Sequence, residues 1–258
     1  MVYNSSTDIF EVASQGRMLV ITDIHGNLED FKRYESIFKG CLDQLKVVIT
    51  GDFIHELDNN YDGSVEVLER VKCYYHQYPN FHVLLGNHEW AHLADEPAYK
   101  MGVDQKRAFE SYLRERFGGK WGSKFRSYLE FFRELPVAIK TGNGVIISHA
   151  GPYSDFKNQE ELRNITLAGY RGNKPLEKMM LNRPGNYSKE DLERFLELVG
   201  CKVMVAGHTI VDGVDTVYGK QMILSSSLSS GRKAYLELDL EAEINDVEDL
   251  IPMVQWLD

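Results

Sequence analysis

Cysteine is scarce in this chain: Cys41, Cys73 and Cys201 are an odd, widely spaced set without a CxxC pair. That excludes a disulfide framework and reads as reduced, mostly buried thiols of a cytoplasmic protein. Nowhere do 18 apolar residues follow one another, so no membrane-spanning helix is expected. Met1 to Gly16 lacks a basic start followed by an apolar stretch, so no signal peptide is expected. Basic residues are in deficit, 29 against 39 acidic, for a net charge of -10. A nucleic-acid partner calls for a basic face, so this balance argues against one. Internal repeats and proline-rich linkers are also missing, and the one biased tract is short, Ser225 to Ser230. With 258 residues and 43% hydrophobic content, the chain is expected to be one domain, 1–258, around one sizeable core.

What is present is a set of short apolar runs, each ending abruptly in polar residues. Met18 to Ile21 runs into Thr22-Asp23-Ile24-His25-Gly26-Asn27, and Lys46 to Ile49 into Thr50-Gly51-Asp52. His82 to Leu85 runs into Gly86-Asn87-His88-Glu89, Val145 to Ile147 into Ser148-His149-Ala150-Gly151, and Val203 to Ala206 into Gly207-His208-Thr209. Aliphatic runs of this length, bounded by glycine, predict strands buried on both faces. Helical spacing falls between them, at Asn27–Phe38, at Ser64–Tyr75 with Ser64 as N-cap, and at Ser188–Val199. This alternation predicts an α/β fold. Beyond His208 the pattern becomes β-rich and antiparallel in character (Val211–Tyr218, Gln221–Ser227, Lys233–Leu240), while residues 95–134 read as a helix-rich insert beside the site. The acidic tail from Glu241 carries no functional signal.

Ligands in open α/β sheets sit beyond the carboxyl ends of the strands. The five strand ends are therefore expected to deliver Asp23, His25, Asp52, Asn87, His88, His149 and His208 to one edge. Carboxylate, imidazole and amide oxygen together suit Mn, Fe or Zn. A carboxylate such as Asp52 can bridge two cations roughly 3.5–4 Å apart, which can clamp an in-line displacement at phosphorus. Taken singly, a strand-end Asp is usually a turn residue and a strand His a structural one. The ordered set is what carries weight.

That set resembles the calcineurin-like metallophosphoesterases over roughly residues 17 to 240, and is most similar to their phosphoprotein phosphatase branch, bacterial and phage members included. Phe131-Phe132-Arg133-Glu134-Leu135-Pro136-Val137-Ala138 is similar to the same branch just before its histidine motif. The resemblance implies a four-layer αββα sandwich of two mixed β-sheets flanked by helices. It implies two metal ions, Mn foremost with Fe, Zn or Ni as alternatives, one held by Asp23, His25 and Asp52. The other would be held by Asp52, Asn87, His149 and His208. His88 would protonate the leaving oxygen, and Arg183 would bind phosphate as a fork of donors.

One departure stands out. Where the branch reads Gly-Asp-x-x-Asp-Arg-Gly, this chain reads Gly51-Asp52-Phe53-Ile54-His55-Glu56-Leu57. His55 replaces the carboxylate that orients the acid histidine, and Glu56 replaces a phosphate-gripping arginine. Either Glu56 takes over the orientation of His88, which is the preferred expectation, or the substrate differs from a phosphoprotein. His76, His82 and His92 are left without a role, with His92 nearest the site in sequence. The expected activity is hydrolysis of phosphate monoesters, phosphoserine and phosphothreonine proteins or small molecules among them. Nucleotide or dinucleotide polyphosphate hydrolysis, phosphodiester hydrolysis and an inactive phosphate-binding module stand as alternatives.

Overall fold

Each central strand contributes alternately to two apolar clusters, and this parity organises the molecule. In the computed structural model, which describes residues 8–56, 62–100 and 102–257, the strands form two large mixed sheets. Residues 1–7 of the stretch Met1 to Gly16 and Leu57 of the departing motif lie outside the described residues. One sheet orders β13 (Val254–Leu257), β12 (Lys233–Asp239), β2 (Arg17–Ile21), β3 (Leu45–Ile49) and β4 (Phe81–Val83). The other orders β1 (Ile9–Val12), β7 (Ala138–Thr141), β8 (Val145–Ser148), β9 (Val203–Ala206), β11 (Gln221–Leu224) and β10 (Val214–Val217). A small hairpin joins β5 (Tyr99–Lys100) to β6 (Val103–Asp104).

Met18, Val20, Val48, Val145, Ile147, Val203 and Val205 share one cluster drawn from both sheets, which is the layer between them. Their neighbours Leu19, Ile21, Val47, Ile49, Ile146 and Met204 share the other cluster with helix residues. Those helices include α1 (Leu28–Phe38), α2 (Ser64–Gln77), α7 (Lys174–Leu181) and α8 (Lys189–Val199). The architecture is therefore α/β, two mixed sheets flanked by helices. Each fully buried aliphatic side chain contributes about 1.5–3 kcal/mol, so the strands form a stiff frame for the loops at their tips.

The ligand-bearing strands divide between the sheets, β2 to β4 in one and β8 and β9 in the other. The expected single edge is thus the shared rim of two sheets. β2, β3 and β4 run parallel, as do β8 and β9, so within each group the polar ends emerge together. Of the β-rich pieces beyond His208, β10 pairs antiparallel, but β11 runs parallel to β9.

Local chemistry sets the helix starts. Asn27 caps α1 by accepting from Asp30 N at 3.0 Å. Ser188 and Asp191 exchange bonds in a capping box on α8, which Gly200 ends at φ 66°. Ser64 is not the N-cap of α2 but its first helical residue, buried behind Gly63. In the expected insert, α4 (Gln105–Phe117) and α5 (Trp121–Arg133) pack together, and α3 (Asn87–Ala94) packs on α5.

Cys41 and Cys73 are exposed, and only Cys201 is buried, so the expectation of mostly buried thiols fails for two of three. The serine tract is structural: Thr22 N donates to Ser226 Oγ at 2.9 Å and Ser227 Oγ to Asp30 Oδ2 at 2.6 Å, tying the tip of β2 and the start of α1 to the connection between β11 and β12.

Candidate metal centre and active site

The loops at the tips of β2, β3 and β9 are built around strain and close approach. His25, Asp52, His55 and His208 all lie in the left-handed region, at φ 48°, 51°, 65° and 63°, which non-glycine residues rarely adopt and which costs of order 1–3 kcal/mol each. A Cβ on Gly86 would collide with the Asp52 backbone and carboxylate, and one on Gly207 with Asp23. These two glycines let the tips of neighbouring strands touch. Glu89, fully buried, locks the arrangement by accepting from Asp52 N at 2.8 Å, Phe53 N at 3.1 Å and Gly86 N at 3.2 Å. Burial, then the nearby Asp52, pushes the Glu89 carboxyl well above its ordinary range.

Asp52 is the hub. Its Oδ2 lies 3.8 Å from His25 Nε2, 3.8 Å from His88 Nε2 and 3.6 Å from His149 Nε2, while Oδ1 accepts from His88 N at 2.9 Å. Two trios of donor atoms, each within 4.8 Å, have Asp52 in common: His25–Asp52–His88 and Asp52–His149–His208. Asp23 Oδ2 is 3.8 Å from His25 Nε2, and its carboxylate accepts from His208 N at 3.0 and 3.1 Å. Burial raises Asp23, against the lowering influence of His149, the His208 N–H and Arg183.

The donor chemistry fits a metal ion. His149 Nδ1 faces the Thr50 carbonyl at 3.1 Å, and a carbonyl only accepts, so the ring proton sits on Nδ1 and Nε2 keeps its lone pair. That lone pair faces Asn87 Oδ1 at 2.9 Å and His208 Nδ1 at 3.2 Å. Burial pushes His149 down and His208 well down from the ordinary histidine value, so both rings are neutral. Carboxylate and amide oxygens and imidazole nitrogens converging on one point suit a cation, and the Thr50 carbonyl is the outer partner that fixes the His149 ring.

A cavity of ≈ 640 Å³ opens over the site, lined by Asp23, His25, Asp52, Asn87, His88 and His208. Arg183 lines it too, and is the one arginine or lysine among the described residues that do. It follows α7, whose end is held by Gly151 N donating to Asn182 O at 2.9 Å, and its own N–H donates to Asn186 Oδ1 at 3.0 Å. Its charge lowers both Asp23 and His208. Pro97, Ala98 and Tyr99 bring the insert to the rim.

Eight of the nine expected site residues thus meet in one place, with His149 completely buried beneath the cavity. Glu56 is the exception, since it is not among the described residues lining the cavity. The group placed against His88 Nδ1 is His55 Nδ1, at 2.6 Å. His55, whose backbone is left-handed at φ 65°, faces His88 directly. His92, buried, does not line the cavity either. From sequence, Glu89 carries no role, His55 reads only as the replacement of a carboxylate, and His92 only as near the site. One signal was available, since His88 and His92 are four apart on α3 and so share a helix face.

Architecture and donor set define an αββα protein with a candidate dinuclear metal site at the strand tips. The sequence pattern of the calcineurin-like phosphoesterases matches residues 16–212, and the chain belongs to that family. It is 22% identical to a serine/threonine-protein phosphatase of Caenorhabditis elegans, over 82% of this chain and 47% of that one. It is 26% identical to the Encephalitozoon cuniculi protein named Probable serine/threonine-protein phosphatase, over 96% of this chain and 56% of that one. The chain therefore spans about half the length of these curated relatives. In fold it is similar to a protein serine/threonine phosphatase from Saccharomyces cerevisiae (TM-score 0.74, 17% identity, 98% and 84% of the two chains). It is also similar to a cold-active protein-tyrosine phosphatase of a psychrophilic Shewanella (TM-score 0.61, 18% identity, 97% and 82%). No described helix is long and apolar enough to cross a membrane.

Proposed function

We propose that this chain is a metal-dependent phosphoesterase that hydrolyses phosphate monoesters, with phosphoserine and phosphothreonine proteins as the leading substrate class. The observation that carries the reading is the single carboxylate, Asp52, common to two trios of donor atoms at the base of one cavity. Asp23, His25 and Asp52 would hold one ion and Asp52, Asn87, His149 and His208 the other, Mn being the first candidate for a mixed oxygen and nitrogen set. When bound, such ions supply the charge that activates water and neutralises the ester.

The chain's own residues do the rest. Arg183 offers a guanidinium fork to the phosphoryl oxygens. His88, with Nε2 on the cavity side, gives its proton to the leaving ester oxygen. The rim formed by Trp90, Tyr99 and Ile210 borders the leaving group. Arg183 supplies a cation that the Glu56 substitution had put in question, which favours a monoester over a diester or polyphosphate. The residues 1–258 are read as one domain, working in the cytoplasm.

Hydrolysis of p-nitrophenyl phosphate by the purified chain with added Mn tests this. Turnover is expected for the wild type and to be lost on chelation and restored by Mn. Activity no higher than that of Asp52→Asn under any divalent metal would sink it, and a preference for diesters by orders of magnitude would move the substrate class.

A further inference from the structure

Three histidines form a chain of their own beside the metal ligands. His55 Nδ1 lies 2.6 Å from His88 Nδ1, and His55 Nε2 lies 2.9 Å from His92 Nε2. His88 and His92 stand one turn apart on the same face of α3, so a single ring can bridge them. The chain runs away from the cavity into an aromatic cage, where Phe109, Phe125 and Phe132 pack on His92 at centroid distances of 5.4, 5.6 and 6.3 Å. Burial pushes His92 down to about 3 and His55 well below the ordinary histidine value, so both rings are neutral.

A neutral imidazole has one N–H and one lone pair. With both nitrogens engaged by other rings, His55 must donate to one neighbour and accept from the other. His88 Nδ1 and His92 Nε2 are therefore locked in opposite states, one bearing a hydrogen and the other bare. His92 thus governs a ring in the cavity wall without touching the cavity itself.

We propose that His55 and His92 are positioning residues for His88, a three-imidazole chain that holds its Nε2 toward the reacting centre, 3.8 Å from Asp52 Oδ2. The proposal rests on the reading of His88 as proton donor to the leaving oxygen. The chain aligns the ring by hydrogen-bond direction, with no carboxylate among its three members. His92 Nε2–H donates to His55 Nε2 and His55 Nδ1–H to His88 Nδ1, which leaves the His88 hydrogen on Nε2, facing the reacting centre, and the bare His92 Nδ1 among the phenyl rings.

The test uses two esters that differ in leaving group: p-nitrophenyl phosphate, whose phenolate departs without a proton, and glycerol 2-phosphate, whose alkoxide needs one. His92→Phe keeps a ring in the cage and removes the nitrogen, while His92→Gln returns a polar group near Nε2. With the Mn-loaded full chain, His92→Phe should lower kcat on the alkyl ester roughly 10-fold or more and change the aryl ester less than about two-fold. His92→Gln should recover most of the loss, and His88→Ala combined with His92→Phe should be no slower than His88→Ala alone. Equal losses on both esters, or losses that add in the double variant, overturn the proposal. If His92→Phe fails to fold, long-range 1H–15N spectra of the metal-free wild type decide: opposite states at His88 Nδ1 and His92 Nε2 support the chain, and the same state at both overturns it. A wild type inactive on both esters would sink the phosphoesterase reading instead, and those spectra would still decide the chain.

Discussion

Two clusters of histidines meet at Asp52, and they differ in what each ring finds at its far nitrogen. In the cluster of His149 and His208, His149 spends its proton on the Thr50 carbonyl, so bare nitrogen faces other donors, Asn87 Oδ1 and Asp52 Oδ2 among them. In the cluster of His88, His55 and His92, each gap between rings is closed by another imidazole. Residue type is the same in both. The first arrangement offers its lone pairs to a cation, whereas the second is closed by protons. Outer partners, not the histidines themselves, decide which rings bind metal and which guide a proton.

The comparison breaks most visibly at its hinge. Asp52→Asn removes the charge common to both trios, and kcat/KM should fall by at least about 10³, some 4 kcal/mol of transition-state stabilisation. Metal content by plasma emission should fall with it, and full occupancy with full activity would end the distinction. His88→Ala should cost about 10²–10³ in kcat on an alkyl ester while leaving the bound metal unchanged. A variant that lost metal would place His88 in the first cluster, as its presence in the His25–Asp52 trio allows. Mn at 100 times its Kd should stabilise the wild type by about 2.7 kcal/mol, read as a rise in Tm, and should do the same for His92→Phe but not for His208→Ala.

His82, which belongs to neither cluster, sharpens the contrast. Its buried ring, tilted against Phe10, is pushed down to about 4 by burial and then by Lys46. A lowered histidine takes up its proton less readily in the folded chain than in the unfolded one. Stability from this group is therefore complete above the unfolded value near 6.5 and is lost as pH falls toward 4. The loss should be roughly 2 kcal/mol between pH 6.5 and pH 5. Urea midpoints of wild type and His82→Gln over that range check it, and parallel pH slopes would contradict the assignment.

Much of this was legible in the sequence. The apolar runs ending at Asp23, Asp52, Asn87, His149 and His208 located strands and donors together, because a strand buried on both faces leaves its polar residues only at the tips. The division into two sheets was not legible, since Met18 to Ile21 is apolar at every position and hides which neighbour faces which layer. Short strands such as β1 and β13 lacked enough residues for a pattern. The place of His55 against His88 was not legible either, because charge is readable in a sequence, whereas a left-handed φ of 65° is not. The pairing of His55 with His88 and His92 depends on the phase of α3 against the loop after β3, a tertiary fact.

Anomalous diffraction at the manganese edge from crystals grown with Mn addresses the shared carboxylate directly. Two peaks flanking Asp52, one beside His25 and one beside His149 and His208, are the expected result. A single peak, or peaks that leave Asp52 uncoordinated, would contradict the account.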